Sequence, residues 1–174
     1  MKSLNTLIEH LRSVHVLNTQ NIIDAFRKID RRDFVTDETL SSAYEDIPLL
    51  IGHGQTISQP YTVAFMLELL SPQKGEHILD VGSGSGYTTA LLAEIVGKGG
   101  SVVGVEIISE LVSFGKKNLS KYNFAHVLIC QAKKKLGFLS KAPYDKIIVS
   151  ASLKEISKEL IAQLKTGGVM VVPV

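Results

Sequence analysis

Five residues close together in the middle of the chain carry the clearest chemical signal: Asp80, Gly82, Gly84, Gly86 and Glu106. The first four lie in "LDVGSGSGYTTA", between an apolar run and a helical pattern. Glycine at such a strand-to-helix corner permits a tight turn and leaves bare amides for a ligand to approach. Glu106 ends the next apolar run, "SVVGVE", about 20 residues after the last of those glycines, where a carboxylate can accept hydrogen bonds from ribose hydroxyls. A tight turn followed in register by an acid predicts a nucleoside-type ligand.

The elements that must position these residues follow from periodicity. "HILDV", "SVVGVE", "HVLIC", "YDKIIVSA" and "GGVMVVPV" read as five strands, with helices over "YTTALLAEIVG", "SELVSFGKKNLSKY" and "KEISKELIAQLK" between them. Strands rich in Val and Ile that alternate with helices predict a parallel sheet covered on both faces. The expected fold is therefore α/β, a Rossmann-like doubly wound and mainly parallel sheet. Ahead of it, Leu4, Leu7, Ile8, Leu11 and Val14, then Ile22, Ile23, Phe26 and Ile29, fall at helical spacing and predict an N-terminal helical extension, with Thr19 or Asn18 capping the second helix. We expect one domain over residues 1–174, with helices and a polar loop in 1–72 and the ligand-binding core in 73–174.

Composition narrows the classes. A hydrophobic content of 45% supports a full core, and a formal charge of +2 spread along the chain does not suit nucleic-acid binding. Arg31, Arg32 and Lys133–Lys135 are the only short basic clusters, and the three lysines read as a solvated loop. Cys130 is the only cysteine, and the five histidines form no metal-type cluster with other ligands. Neither a signal peptide nor a membrane-length apolar run is visible. We expect a cytoplasmic protein with no metal and no membrane or nucleic-acid partner.

The stretch "GHGQTISQPYTVAFMLELL" admits two readings. Ser58, just before Pro60, suits the start of a helix, where a serine caps and a proline opens the first turn. Equally, Gln55, Thr56 and Ser58 form an uncharged polar loop able to hold a ligand. His53 reads as a surface loop residue and Tyr61 as a packing residue.

The glycines alternate as G-x-G-x-G, with Tyr87 opening the helix, and not as the G-x-G-x-x-G of a dinucleotide fingerprint. An acidic Asp80 beside the turn suits a cationic sulfonium better than a pyrophosphate. This pattern resembles the class I S-adenosylmethionine-dependent methyltransferases. With "GQTISQP", "APYDKIIVSA" and "LIAQLKTGGVMVVPV" added, the chain from about Phe34 to Val174 resembles the protein-L-isoaspartate O-methyltransferase family. The resemblance implies methyl transfer from S-adenosylmethionine to the free α-carboxylate of L-isoaspartyl residues in damaged proteins or peptides. It implies that Ser58 is the active-site serine, that Gln55 and Thr56 line the acceptor site, and that Asp80, Gly82, Ser83, Gly84, Gly86, Tyr87 and Glu106 serve the cofactor.

Three departures from the family are visible. The Gly-Asp-Gly turn after the third strand is replaced by "QAKKKLG", leaving Gln131 to face the adenine amino group. "SLKEISKEL" replaces the family's alanines and prolines, and the sheet is expected to be shortened at the C-terminus. An open last strand predicts self-association or a covering partner. The competing readings are a degenerate homologue that binds a nucleotide weakly or serves as an interaction module, and a methyltransferase with another acceptor.

Overall fold

A computed structural model describes residues 3–132, 136–151 and 155–173. The N-terminal layer consists of α1 (Leu4–Ser13) and α2 (Gln20–Lys28). Ser3 opens α1 with a capping box, its hydroxyl accepting from Thr6 N while Thr6 Oγ1 accepts from Ser3 N. Leu7, Ile8 and Leu11 are buried as their spacing requires, whereas Val14 falls past the helix end and is exposed. Thr19 stands at the N-cap of α2 without capping it; its hydroxyl donates instead to Glu68, which also accepts from Asn18 N and Thr19 N.

Between α2 and the core, the aperiodic stretch contains two short 3₁₀ turns, Arg31–Phe34 and Asp37–Ser42, followed by an antiparallel hairpin of β1 (Leu49–Gly52) and β2 (Gln55–Ile57). Strand periodicity was too short to announce that hairpin. Its turn places Gly52, His53 and Gly54 all at positive φ, and His53 is exposed there. The chain then enters α3 (Pro60–Leu70) with Pro60 in the first turn.

The core follows as β3 (His77–Val81), α4 (Tyr87–Val96), β4 (Ser101–Glu106), α5 (Ser109–Leu119), β5 (Val127–Gln131), β6 (Tyr144–Val149), α6 (Lys158–Ile161) and β7 (Leu164–Val171). The five core strands are wholly parallel in the order β5-β4-β3-β6-β7. Strand order reverses beside β3, and the carboxyl ends of β3 and β4 open there onto one crevice, the position where such sheets bind ligands. β3 and β4 are buried along almost their whole length because helices cover both faces. Among the described residues β7 pairs with β6 alone and forms one edge of the sheet.

One expected element is much shorter than its periodicity suggests. The helix over "KEISKELIAQLK" is reduced to the single turn of α6, and β7 begins at Leu164. Ser157 caps the start of α6, its hydroxyl accepting from Glu159 N, Lys154 lies outside the described residues, and Gln163 fixes the helix end. Its carbonyl accepts from Tyr144 N, and its buried side chain accepts from Phe138 N and donates to Leu136 O and Glu159 O. These bonds draw the backbone onto the sheet before a second helical turn can form. They also hold the 136–138 segment, so Gln163→Ala should cost about 2–4 kcal/mol of stability in urea unfolding, leaving buried groups without partners.

Candidate functional site

Each glycine in the β3–α4 turn has a separate geometric reason. Gly82, Gly84 and Gly86 have φ of 84°, 49° and 86°, left-handed values that favour glycine. A Cβ on Gly82 would stand 2.9 Å from that of Ala151, while one on Gly86 would press on Gly115 O at 3.3 Å. The turn is thus closed against both the β6 exit and α5. Ser83 lies buried beneath it, with its hydroxyl unpaired.

Glu106 ties the turn to the next element. Its Oε2 accepts from Gly84 N at 3.0 Å, and its Oε1 accepts from Ile107 N at 2.8 Å and Ile108 N at 3.0 Å. The carboxylate is nearly buried yet remains part of the wall of a cavity of about 450 Å³. Gly82, Gly84, Ser150 and Ala151 flank that cavity on one side; Ile107, Ile108, Leu111, Ala132, Leu136 and Gly137 make an apolar slot; Gln55, Thr56 and Ser58 line it from the hairpin side. A recess of about 30 Å³, room for roughly one water, shares Thr56, Ser58, Gly82, Gly84 and Ser150. The hairpin register, Leu49 opposite Ile57, sets where this polar loop stands.

Ser58 is not the helix cap. Gln59 occupies the N-cap of α3 and makes no side-chain capping bond. Pro60 supplies a preset φ and lacks an amide to satisfy, so helix entry does not require the serine hydroxyl. Ser58 instead lines the cavity with Gln55 and Thr56, as the ligand-loop reading anticipates.

Three expected contacts are placed differently. Asp80 is fully buried and does not line the cavity; Thr89 Oγ1 donates to its Oδ2 at 2.6 Å and Ser150 Oγ to its Oδ1 at 3.0 Å. It therefore acts from beneath the glycine turn. Burial raises its pKa to about 6, against those two hydrogen bonds, and the charge of Glu106 adds to the rise. Tyr87 borders the small recess but not the larger cavity, and its ring packs into the helical layer, edge-on to Phe26 at 6.2 Å and tilted on Phe34 at 5.4 Å. Gln131 is exposed and outside the cavity wall, its amide donating to Ile107 O at 3.2 Å. Lys133–Lys135 lie outside the described residues.

Sequence reasoning missed Ile107, Ile108, Leu111, Ser150 and Ala151. The apolar pair directly after the strand-ending Glu106 was the available signal for Ile107 and Ile108.

A parallel α/β crevice with a glycine turn, a strand-end glutamate and a polar hairpin loop narrows the possibilities, and comparison with known proteins completes the assignment. The profile of protein-L-isoaspartate(D-aspartate) O-methyltransferase (PCMT) matches residues 2–174. The chain belongs to this family. Protein-L-isoaspartate O-methyltransferase 1 of Archaeoglobus fulgidus is 46% identical over 97% of the chain and 77% of its own length. The Methanopyrus kandleri protein-L-isoaspartate O-methyltransferase is 43% identical over 97% of the chain and 75% of its own. A solved protein-L-isoaspartate O-methyltransferase superposes with a TM-score of 0.89 at 32% identity, covering 98% of the chain and 55% of that structure. A Plasmodium falciparum structure, described as a putative PCMT in complex with S-adenosyl-L-homocysteine, superposes with a TM-score of 0.86 at 26% identity, over 99% of the chain and 84% of its own. The chain thus spans about three quarters of these two curated relatives and about half of the first structure. Among the described residues no helix is long and apolar enough to cross a membrane.

The raised pKa of Asp80 has a definite sign for this PCMT relative. The folded state holds the proton more tightly than the unfolded chain, so this group's contribution is complete below about pH 4 and lost as pH rises through about 6. The difference is about 3 kcal/mol. Asp80→Asn should flatten that part of the stability profile, which urea titrations of both proteins from pH 4 to pH 7 will test.

Proposed function

We propose that the protein transfers a methyl group from S-adenosylmethionine to the free α-carboxylate of L-isoaspartyl residues in damaged proteins and peptides. The observation that carries this reading is the meeting of the Ser58 loop with the Glu106 crevice in one cavity. The residues fit the cofactor. Glu106 offers a carboxylate to ribose hydroxyls, and the slot of Ile107, Ile108, Leu111, Ala132 and Leu136 suits a flat adenine ring. Asp80, an acidic group seated under the turn and bonded only to hydroxyls among the described residues, favours a cationic ligand.

When bound, the cofactor supplies an electrophilic methyl group. The chain's own residues have a limited task, because a carboxylate is already a nucleophile at neutral pH and needs no strong base. Thr56, Ser58 and Gln55 can donate hydrogen bonds that orient it without neutralising it, and the crevice removes part of its water. Placement of this kind is worth roughly 7–11 kcal/mol in favourable cases. Subsequent cyclisation of the ester to a succinimide, and its hydrolysis, would return part of the material to aspartate, making the reaction one of protein repair. A reducing cytoplasm, the compartment expected from the lone Cys130, belongs to the same reading.

Labelled methyl transfer to an isoaspartyl peptide, with the matching aspartyl peptide as control, tests the proposal; label on the isoaspartyl peptide alone is expected, and none on either would overturn it. Ser58→Ala should lower kcat by about tenfold or more while leaving the affinity for S-adenosylhomocysteine within about twofold, read by calorimetry beside steady-state kinetics.

A further inference from the structure

Arg31 is a cation in an unusual place. It lies in the 3₁₀ turn Arg31–Phe34 and is completely buried. Its Nη1 donates to Ala43 O at 2.7 Å and Glu45 O at 3.4 Å, and its Nη2 donates to Ile47 O at 3.0 Å and Ser58 O at 3.2 Å. Every one of these partners is a backbone carbonyl. No ion pair to Arg31 occurs among the described residues, and Asp46 is the carboxylate that acts on it electrostatically. Nε has no partner, and neither has the buried hydroxyl of Tyr87, whose electrostatic neighbour is Arg31.

Stability alone gives a poor reason for such an arrangement. A guanidinium stays protonated in a protein interior, and replacing buried charge with well-packed apolar groups is often neutral or stabilising. The guanidinium does two other things. Its planar fork gathers three carbonyls of residues 43–47 and the carbonyl of Ser58 at one point, fixing the strand-to-helix corner from which Ser58 reaches the cavity. It also engages the negative end of the Ser58 peptide. Hydrogen-bonded only to carbonyl dipoles, with Asp46 acting on it without an ion pair, the guanidinium contributes a favourable potential for an anion, felt without direct contact.

We propose that Arg31 is a positioning residue for the acceptor site: its buried fork sets the Ser58 loop, and its charge makes that end of the cavity select an anionic acceptor over a neutral one. The proposal rests on the isoaspartyl reading above. It explains how the uncharged side chains of Gln55, Thr56 and Ser58 can serve a site that recognises a carboxylate.

The test uses Arg31→Lys, which keeps charge and loses the fork, and Arg31→Met, which loses both. KM for an isoaspartyl peptide, inhibition by the same peptide as its α-carboxamide, and S-adenosylhomocysteine affinity are measured for each. Arg31→Met should raise KM about tenfold or more and erase most of the preference for carboxylate over carboxamide, with cofactor-product affinity within about twofold; Arg31→Lys should regain part of that preference. An unchanged preference in both variants, or equal losses for peptide and cofactor product, would overturn the proposal. If Arg31→Met does not fold, Arg31→Lys decides alone, by a rise in KM without a matching loss of cofactor-product affinity. If the wild-type protein transfers no methyl group, the functional reading fails separately, and hydrogen exchange over residues 43–58 still tests the fork. Protection there should fall about tenfold in Arg31→Lys, and unchanged protection would overturn it.

Discussion

The hydrogen bonds of the Glu106 carboxylate are the constraint on which the rest of the site depends. One oxygen holds the amide of Gly84 in the β3–α4 turn, and the other holds the amides of Ile107 and Ile108 where the chain leaves β4 for α5. Hydrogen bonds to an ionised group are worth roughly 1.5–3 kcal/mol each, more than neutral ones. Two adjacent βα connections are therefore locked to a single side chain. The left-handed glycines, the approach of Gly86 to Gly115 and the exposed Ile107 all lie at the two connections so joined.

Buried charge is handled in the same way on both sides of the crevice. Asp80 is answered by the hydroxyls of Thr89 and Ser150, and Arg31 by four carbonyls; neither is paired with the other. Hydroxyl dipoles answer Asp80, and carbonyl dipoles answer both Nη atoms of Arg31, whose Nε has no partner. A cationic cofactor on the Asp80 side and an anionic acceptor on the Arg31 side are the ligands such a distribution favours. Both charges also carry a desolvation cost, which the surrounding core of Phe26, Phe34, Leu91 and Ile148 helps to offset.

Legibility in the sequence followed periodicity and local backbone chemistry. All five core strands were visible because their Val and Ile runs are nearly continuous, and the glycines announced their turn because only that residue adopts three closely spaced left-handed conformations without strain. The hairpin Leu49–Ile57 was hidden by its length, and the helix before β7 was overestimated because Gln163 bonds to a loop far back in the chain. Tyr87 and Asp80 show the same limitation. Their types and positions pointed to the site, but packing turned the ring into the helical layer and set the carboxylate below the turn.

The sequence by itself determined the parallel α/β order, the left-handed glycine turn, the placement of Glu106 at a strand end and the family to which the chain belongs, since each is written in neighbouring residues. Only the tertiary structure decided that Ser58 faces the cavity instead of capping α3, that Gln131 lies outside it, and that Arg31 is buried with its guanidinium on the Ser58 carbonyl. The reason is physical. Those outcomes depend on hydrogen bonds and burial between segments separated by many residues, and local spacing does not record which distant carbonyl a guanidinium will meet.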